Sequence, residues 1–360
     1  FAKMLYEQTG VPTGISLVVC SGAEISLWGE NKLCLTGIYE SIDAFGKNVA
    51  GFLWYQGETD SENFADSSRR ALAYDKNLRE LIGRIRARAG KPNLPGLIVQ
   101  IGSVYPPGAI LVRGAQYGVS IDDPHIATIP VYDLAGGLHL TATQLDTVGD
   151  RLARASLRKI FGMTQHFYGP QFKNAWFSDE SRRTVIIDFA DVKDSLVDFD
   201  SDPSRLGFFV MDSSAWRRNN YAVSFEYNTP PGLLLPFDTI TRIAPNRLAL
   251  RLRSSAPQNV TISYGRTGAP GVVPMKLVTD GTDIPMATVF NRAILSAEPT
   301  TLGQPLRSVA VGKADARGRR GNLLVLDDGR LPEGRVAYGP DGRALPNRAV
   351  SKTIRLVIAR

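Results

Sequence analysis

One segment decides the fold of the first half of this chain: Gly51-Phe52-Leu53-Trp54-Tyr55-Gln56-Gly57-Glu58-Thr59-Asp60-Ser61. Its first residues are apolar without alternation, which is typical of a strand that is buried on both faces. Polar and acidic residues follow directly, so the chain passes from a core strand to a polar loop. Open α/β sheets bind ligands at such strand ends. The segment therefore predicts a parallel sheet with a functional site at its carboxyl edge.

Short apolar runs alternate with helical patterns throughout residues 1–163, which predicts a three-layer αβα domain around a parallel sheet. The longest helical pattern carries Leu72, Leu78 and Leu81 on one side. The predicted helices are Ala2–Gln8, Ile38–Phe45, Ser67–Ala89, Val112–Ile121 and Ala142–Ile160, and the predicted strands are Ile15–Val19, Val49–Tyr55, Leu97–Ile101 and Ile126–Tyr132.

The pattern changes near residue 165, beyond which short β-rich runs are separated by Gly, Pro, Asn and Asp. This predicts a β-sandwich or jelly-roll accessory domain over residues 165–275. Residues 276–360 are expected to form a β-rich extension of unknown role. The predicted strands of these two regions are Thr184–Phe189, Leu206–Met211, Tyr221–Tyr227, Arg247–Leu252, Val260–Tyr264, Leu323–Leu326 and Thr353–Ile358.

Composition narrows the class of protein. An apolar fraction of 43% and a charged fraction of 21% indicate a globular chain. The net charge is +7, but Lys and Arg are scattered, which indicates a solvated basic surface and no nucleic-acid partner. No apolar stretch reaches the roughly 20 residues that cross a bilayer. Three dispersed histidines predict no metal site, and the oligomeric state is open.

Two cysteines are too few for a disulfide framework or a zinc site. Cys20 follows an apolar run, which favours a small buried side chain; a bridge from Cys20 to Cys34 is the alternative. The chain starts at Phe1 without Met or a charged leader, so a signal peptide is neither found nor excluded. We expect the beginning of the native protein to lie upstream.

Three polar segments follow predicted strands, at residues 20–28, 51–61 and 133–140. Within the second, residues 54–60 read Trp-Tyr-Gln-Gly-Glu-Thr-Asp. This resembles the WYQGESD-type signature of sialate O-acetylesterases and related carbohydrate esterases of the SGNH hydrolase superfamily. The resemblance covers about residues 1–160 and implies a carbohydrate O-acetylesterase that acts through a serine acyl-enzyme and needs no cofactor.

The resemblance also implies roles for individual residues. Ser21 and Gly22 match an oxyanion loop that precedes a tryptophan, here Trp28, and the Gly22 N–H would stabilise the oxyanion together with the Gln56 amide. His139 matches the family's acid/base and would exchange a proton with the serine and the leaving sugar oxygen. The candidates for orienting His139 are Glu58, Asp133 and a backbone carbonyl.

Two departures from the family pattern stand out. The family's nucleophile lies in a GQSN-like block upstream of the segment that matches Phe1, and no such block occurs in these residues. Many SGNH enzymes place an Asp three residues before the base, where this chain has Gly136. Ser21 and Ser61 are the alternative nucleophiles, although Ser61 suits a helix start equally well.

Several candidates have structural alternatives. Trp28 and Trp54 suit either the substrate site or the core, and Glu58 and Asp60 suit either the site or the start of a helix. We expect His125 at the surface and His166 at the domain junction. Two roles are open for Trp176 and Trp216: a sugar-stacking platform in the accessory domain, or packing in the core.

The sequence therefore predicts an esterase that removes acetyl groups from a glycan or sialic acid, with its serine upstream of the chain and this fragment inactive by itself. A glycan-binding or structural module on the same fold is the alternative, and hydrolysis of a lipid ester or thioester is a third possibility. A carbohydrate target suits a secreted, periplasmic or cell-surface setting.

Overall fold

A computed structural model of the chain describes residues 1–62, 70–102, 108–134, 140–166, 168–197, 207–214, 233–265, 277–299 and 354–359. In the first half, helices and strands alternate as the sequence predicts. The helices are α1 (Ala2–Thr9), α2 (Leu33–Ala44), α3 (Glu58–Glu62), α4 (Arg70–Ala89), α5 (Ala109–Asp122) and α6 (Ala142–Lys159), and the strands are β1 (Thr13–Val18), β2 (Gly51–Trp54), β3 (Gly96–Gln100) and β4 (Ile126–Pro130).

The strands of this half form a parallel sheet whose faces are both covered. Trp54 of β2 and Ile98 of β3 pack into one core with α2, α4 and α5. Their neighbours Leu53 and Leu97 point the other way, into a core shared with α6. Because successive residues of a strand face opposite sides, both sets must be apolar. This explains the unbroken apolar run of β2.

A strand from near the other end of the chain completes this sheet. β13 (Ile354–Ala359) lies between β1 and β2 and is parallel to both, so the order is β1-β13-β2-β3-β4. Ala359 is level with Val18 on one side and with Trp54 on the other. The strand predicted at Thr353–Ile358 is thus present, but it belongs to the first sheet and not to a separate extension.

Two antiparallel sheets make up the second half. Their strands share one hydrophobic core, to which Val185 and Leu250 of one sheet and Val210 and Ile262 of the other contribute. One sheet has the order β5-β6-β10-β9, with β5 (Gln171–Phe177), β6 (Thr184–Ala190), β9 (Phe237–Ala244) and β10 (Arg247–Leu252); the other has the order β12-β11-β7-β8, with β7 (Phe208–Asp212), β8 (Leu234–Leu235), β11 (Val260–Tyr264) and β12 (Val289–Ala293).

The predicted strands at β6, β7, β10 and β11 are confirmed, whereas β5, β9 and β12 were not predicted. The strands expected at Tyr221–Tyr227 and Leu323–Leu326 lie outside the described residues. β12 falls within residues 276–360, yet it pairs with β11 of the accessory sheets. β12 is therefore part of the antiparallel sheets, and the boundary expected at residue 276 falls between two strands that pair with each other.

Residues 277–299 also join the two halves of the chain. The Gln100 side chain, at the end of β3, donates to the Thr288 carbonyl (3.0 Å) and accepts from the Thr288 N–H (2.7 Å). The Tyr132 hydroxyl donates to the Met286 carbonyl at 2.6 Å. All of these groups are buried, so the bonds replace water that the junction excludes. None of the helices in the described ranges is long and apolar enough to span a membrane.

The central position of β13 predicts a strong effect of proline there. Val357 is paired with Ser16 and Phe52, and Val357→Pro removes an N–H from a strand that has a neighbour on each side. We expect a loss of stability of about 1–3 kcal/mol, measured by urea denaturation, because a partner group is left unpaired in the sheet. Val357→Ile keeps the N–H and an apolar β-branched side chain, and it should lose much less stability than Val357→Pro. Equal stability of Val357→Pro and the parent would contradict the strand pairing.

Candidate active site

Two of the three segments that the sequence singled out meet at the carboxyl edge of the parallel sheet. The loop after β1 contacts the loop after β2 through the Thr59 hydroxyl, which donates to the Gly22 carbonyl at 3.2 Å. The Gln56 side chain donates to the Ala23 carbonyl at 2.9 Å. His139 lies outside the described residues, as does Gly136. The predicted convergence is therefore described for Gly22 and Gln56 only.

The loop that carries Gly22 is tightly tethered. Gly22 has a φ of +65°, in the left-handed region that suits glycine, and the Ala23 N–H closes the turn on the Cys20 carbonyl at 3.2 Å. A disulfide joins Cys20 to Cys34 in α2. The bridge from Cys20 to Cys34 is thus the alternative that the structure shows. The expectation that Cys20 is a small buried side chain without a bridge is wrong. The apolar run before Cys20 favoured a buried thiol, but Cys20 is only partly buried, and a local pattern gave no sign of its distance to α2.

Gln56 is 5% exposed and is held by both its backbone and its side chain. The side-chain nitrogen Nε2 donates to the Ala23 carbonyl and to Oδ2 of Asp60 at 2.6 Å. The Gln56 carbonyl accepts from the Tyr74 hydroxyl (2.8 Å) and from Nε2 of Gln116 (2.9 Å). Both amide hydrogens are therefore engaged, and the predicted donation to an oxyanion would require the bond to Ala23 to be exchanged.

Asp60 turns out to be the most buried acid of the site, at 1% exposure. Its Oδ2 accepts from the Ile25 N–H at 2.9 Å as well as from Gln56. Burial raises the pKa of Asp60 to about 6, against the effect of those two hydrogen bonds. The sequence offered Asp60 as a residue of the helix start. Gln56 precedes α3 and Asp60 lies in its first turn, so their contact depends on how the chain turns into α3, which the sequence pattern did not reveal.

Gly57 explains why a glycine follows Gln56. Its φ is +143°, and a Cβ at this position would lie 2.7 Å from Cγ1 of Val112 and 3.1 Å from Cγ2 of Ile101. Both the backbone conformation and the lack of space therefore require glycine. The close contact with α5 fixes the point at which the chain turns from β2 into α3.

The two alternative serines differ in accessibility. Ser61 is fully buried, and its hydroxyl donates to the Glu58 carbonyl at 2.6 Å. A nucleophile must reach the substrate, so this position argues against Ser61. Ser21 is exposed in the turn before Gly22. Glu58, one of the candidates for orienting His139, is the first residue of α3.

Asp133 is already bound by a cation. Arg151 of α6 donates to both carboxylate oxygens of Asp133, at 2.7 and 2.5 Å, and also to the Pro130 carbonyl at 2.7 Å. The Arg151 side chain is 4% exposed, so this bidentate pair is shielded from water. To orient His139 as predicted, Asp133 would have to share oxygens that Arg151 already occupies.

The tryptophans lie in the core. Trp28 and Trp54 are 0% and 1% exposed, and their rings meet edge to face with centroids 5.1 Å apart. Their expected direct contact with substrate is therefore not what the structure shows, because neither ring faces solvent. Trp176 is also buried and lies under the guanidinium of Arg247, at 5.1 Å. Its proposed partner Trp216 lies outside the described residues.

The remaining histidines lie away from these groups. His125 lies in the turn before β4, where its backbone N–H donates to Oδ1 of Asp123 at 2.9 Å. His166 lies near the junction, where burial and Arg154 lower the pKa of its imidazole. In the described part of the chain, no three His, Cys, Asp or Glu side chains are grouped as metal ligands would be.

Comparison with known families identifies this half of the chain. Residues 1–158 match the family model described as carbohydrate esterase, sialic acid-specific acetylesterase. This match confirms the resemblance seen in the sequence: residues 1–158 are similar to sialic acid-specific carbohydrate acetylesterases. No curated protein matches the chain.

Two solved structures are similar to this chain to different degrees. The chain is similar to XAC1771, a carbohydrate acetylesterase from Xanthomonas citri, with a TM-score of 0.59 and 23% identity over 80% of this chain. It spans 62% of the length of that protein. An Arabidopsis thaliana protein, AT4G34215, has a TM-score of 0.40 and 24% identity, over 44% of this chain and 66% of its own length. At these identities the first match supports the fold alone.

The disulfide predicts a redox-sensitive stability. Its cysteines are 14 residues apart, and closing a loop of this size is worth about 3 kcal/mol. We expect reductant to lower the melting temperature of the parent. A Cys20→Ser/Cys34→Ser variant should melt at a lower temperature than the untreated parent, and reductant should not change its melting temperature. An unchanged melting temperature of the parent in reductant, measured by calorimetry, would contradict the tether.

Proposed function

We propose that this protein is a carbohydrate O-acetylesterase that removes acetyl groups from a glycan or sialic acid. The single observation that carries the proposal is the contact of the Gly22 loop with Gln56 at the carboxyl edge of a parallel sheet, within a segment that matches the esterase family. A fold of the SGNH type, with three αβα layers followed by a β-sandwich, suits the two covered faces of the parallel sheet and the core shared by the antiparallel sheets.

The proposed chemistry is acyl transfer through a serine, without a cofactor. The serine oxygen attacks the acetyl carbonyl carbon while His139 takes the hydroxyl proton. The sugar oxygen then leaves with that proton, and water releases acetate from the acyl-serine by the same route. Gly22 and Gln56 would stabilise the oxyanion, and Glu58 or Asp133 would orient His139. Ser21, beside Gly22, would line the site, and Trp28 and Trp54 would support it from the core.

We infer that the nucleophilic serine lies upstream of these residues, because no GQSN-like block occurs in them. The fragment alone is expected to be inactive.

An acetylated carbohydrate is the proposed partner. The alternative of a binding module without activity gains no support from the matched acetylesterase family. The Cys20–Cys34 bridge supports an oxidising and hence extracytoplasmic setting, because disulfides persist there.

Acetate release from O-acetylated sugars by the full-length gene product tests this proposal. We expect release from acetyl esters in preference to longer acyl esters, and labelling by a fluorophosphonate probe that marks activated serines. Gln56→Ala and His139→Ala should each lower kcat by on the order of a hundredfold or more, because each removes a group that acts in the transition state.

His125→Ala is the matched control and should retain the parent's rate, because His125 lies in the turn before β4. An absence of both acetate release and probe labelling in the full-length protein would contradict the esterase proposal. A parent-like rate for Gln56→Ala would reject only the role assigned to Gln56, and the esterase proposal would stand.

A further inference from the structure

A buried carboxylate joins the two loops of the candidate site. Asp60 accepts the Ile25 N–H from the loop after β1 and the Gln56 amide from the loop after β2, both through Oδ2. A carboxylate at 1% exposure is costly to bury, and the hydrogen bonds described for it come from uncharged groups, the Ile25 N–H and the Gln56 amide. A group that the fold retains at such a cost is a candidate for function.

We propose that Asp60 is a positioning residue, whose ionised carboxylate holds the Gly22–Ile25 loop and the Gln56 amide in one fixed geometry and whose protonation loosens it. The inference rests on the proposed esterase function for the reaction that this geometry serves. The geometry itself is independent of that function.

The hydrogen bonds form a closed ring. Nε2 of Gln56 bonds Asp60 with one hydrogen and the Ala23 carbonyl with the other, while Ile25, two residues beyond Ala23, bonds Asp60. Turning the amide over would place Oε1 of Gln56 against two acceptor oxygens, so the orientation is fixed while Asp60 is ionised. One amide hydrogen thus stays on Asp60, and the other can exchange from Ala23 to a substrate oxyanion.

A proton on Asp60 changes this balance. The neutral acid accepts more weakly than the carboxylate, since charge-assisted hydrogen bonds are about twice as strong as neutral ones. Oε1 of Gln56 is buried without a hydrogen-bond partner among the described residues, so a protonated Asp60 would offer it a donor. Protonation therefore weakens one of the two hydrogen bonds that fix the amide orientation and leaves only the bond to the Ala23 carbonyl unchanged.

The charges around Asp60 come from three elements. Glu24 of the loop raises the pKa of Asp60, and Arg70 at the start of α4 lowers it. These two side chains pair with each other at 3.2 Å, so their effects oppose one another. Tyr74 of α4 stays neutral because burial raises the pKa of its hydroxyl, and Glu58 lies on the same helix as Asp60.

The sign of the pH dependence follows. Because burial raises the pKa of Asp60 from 3.8 to about 6, the folded protein binds this proton more tightly than the unfolded chain. The contribution of Asp60 to stability is fully present below pH 3.8 and is lost as the pH rises through about 6. The proposed geometry requires the ionised carboxylate. The loop should therefore become more ordered as the pH rises through about 6, while the contribution of Asp60 to stability falls.

Asp60→Asn separates a positioning role from a merely structural one. In the full-length parent, we expect the Ile25 amide resonance to titrate with a midpoint near pH 6. In Asp60→Asn, this resonance should be independent of pH in this range, and kcat at about pH 8, where a histidine base is neutral in both proteins, should be roughly tenfold lower. The variant should melt no lower than the parent at that pH, since the buried charge is gone.

Asp75→Asn is the control, an exposed acid on α4 that pairs with Arg79; it should titrate and melt like the parent. An Ile25 amide that ignores pH in the parent, or that titrates alike in Asp60→Asn, would overturn the proposal. A markedly lower melting temperature of Asp60→Asn would do the same, because it would make Asp60 a prop of the fold. A parent without acetate release would reject the esterase function, while the amide titration would still decide the role of Asp60.

Discussion

The pairing of β13 with both β1 and β2 is the constraint on which the rest of the first domain depends. Among the described strands, β13 is the only one that pairs with β1. The loop that carries Gly22 follows β1, whereas Gln56 follows β2, and the two strands do not touch. The distance between these two parts of the site is thus set by one strand width on either side of β13.

Within that frame, the Gly22 loop is fixed from three directions. The disulfide ties it to α2, the Gln56 amide ties it to the end of β2, and Asp60 ties it to α3. The first two tethers favour folding, whereas the third keeps a charge out of water. A fold that keeps such a charge gives up stability at neutral pH in exchange for a fixed geometry at one point. This combination is common where backbone N–H groups must point at a reacting atom.

Local patterns predicted most of the first domain but not its closure. The apolar run of β2 and the period of α4 are local signals, and both elements appear where they were expected. The apolar run of β13 was equally visible, yet nothing in a short strand tells which sheet it joins. β5 and β9 were missed for a different reason, since each carries a register irregularity that interrupts its alternation. The family resemblance placed Gly22 and Gln56 at one site, and the loops that carry them do contact each other. It could not foresee that burial would engage both hydrogens of the Gln56 amide.

The late position of β13 in the chain has a consequence for biosynthesis. A ribosome makes β1, β2 and the whole accessory region before it makes residues 354–359, so the nascent first domain waits with the facing edges of β1 and β2 unpaired. Open edges of this kind invite pairing with other chains. Long-range parallel pairing is also slow to form. The interval between synthesis of β2 and synthesis of residues 354–359 is therefore when these edges most need a chaperone.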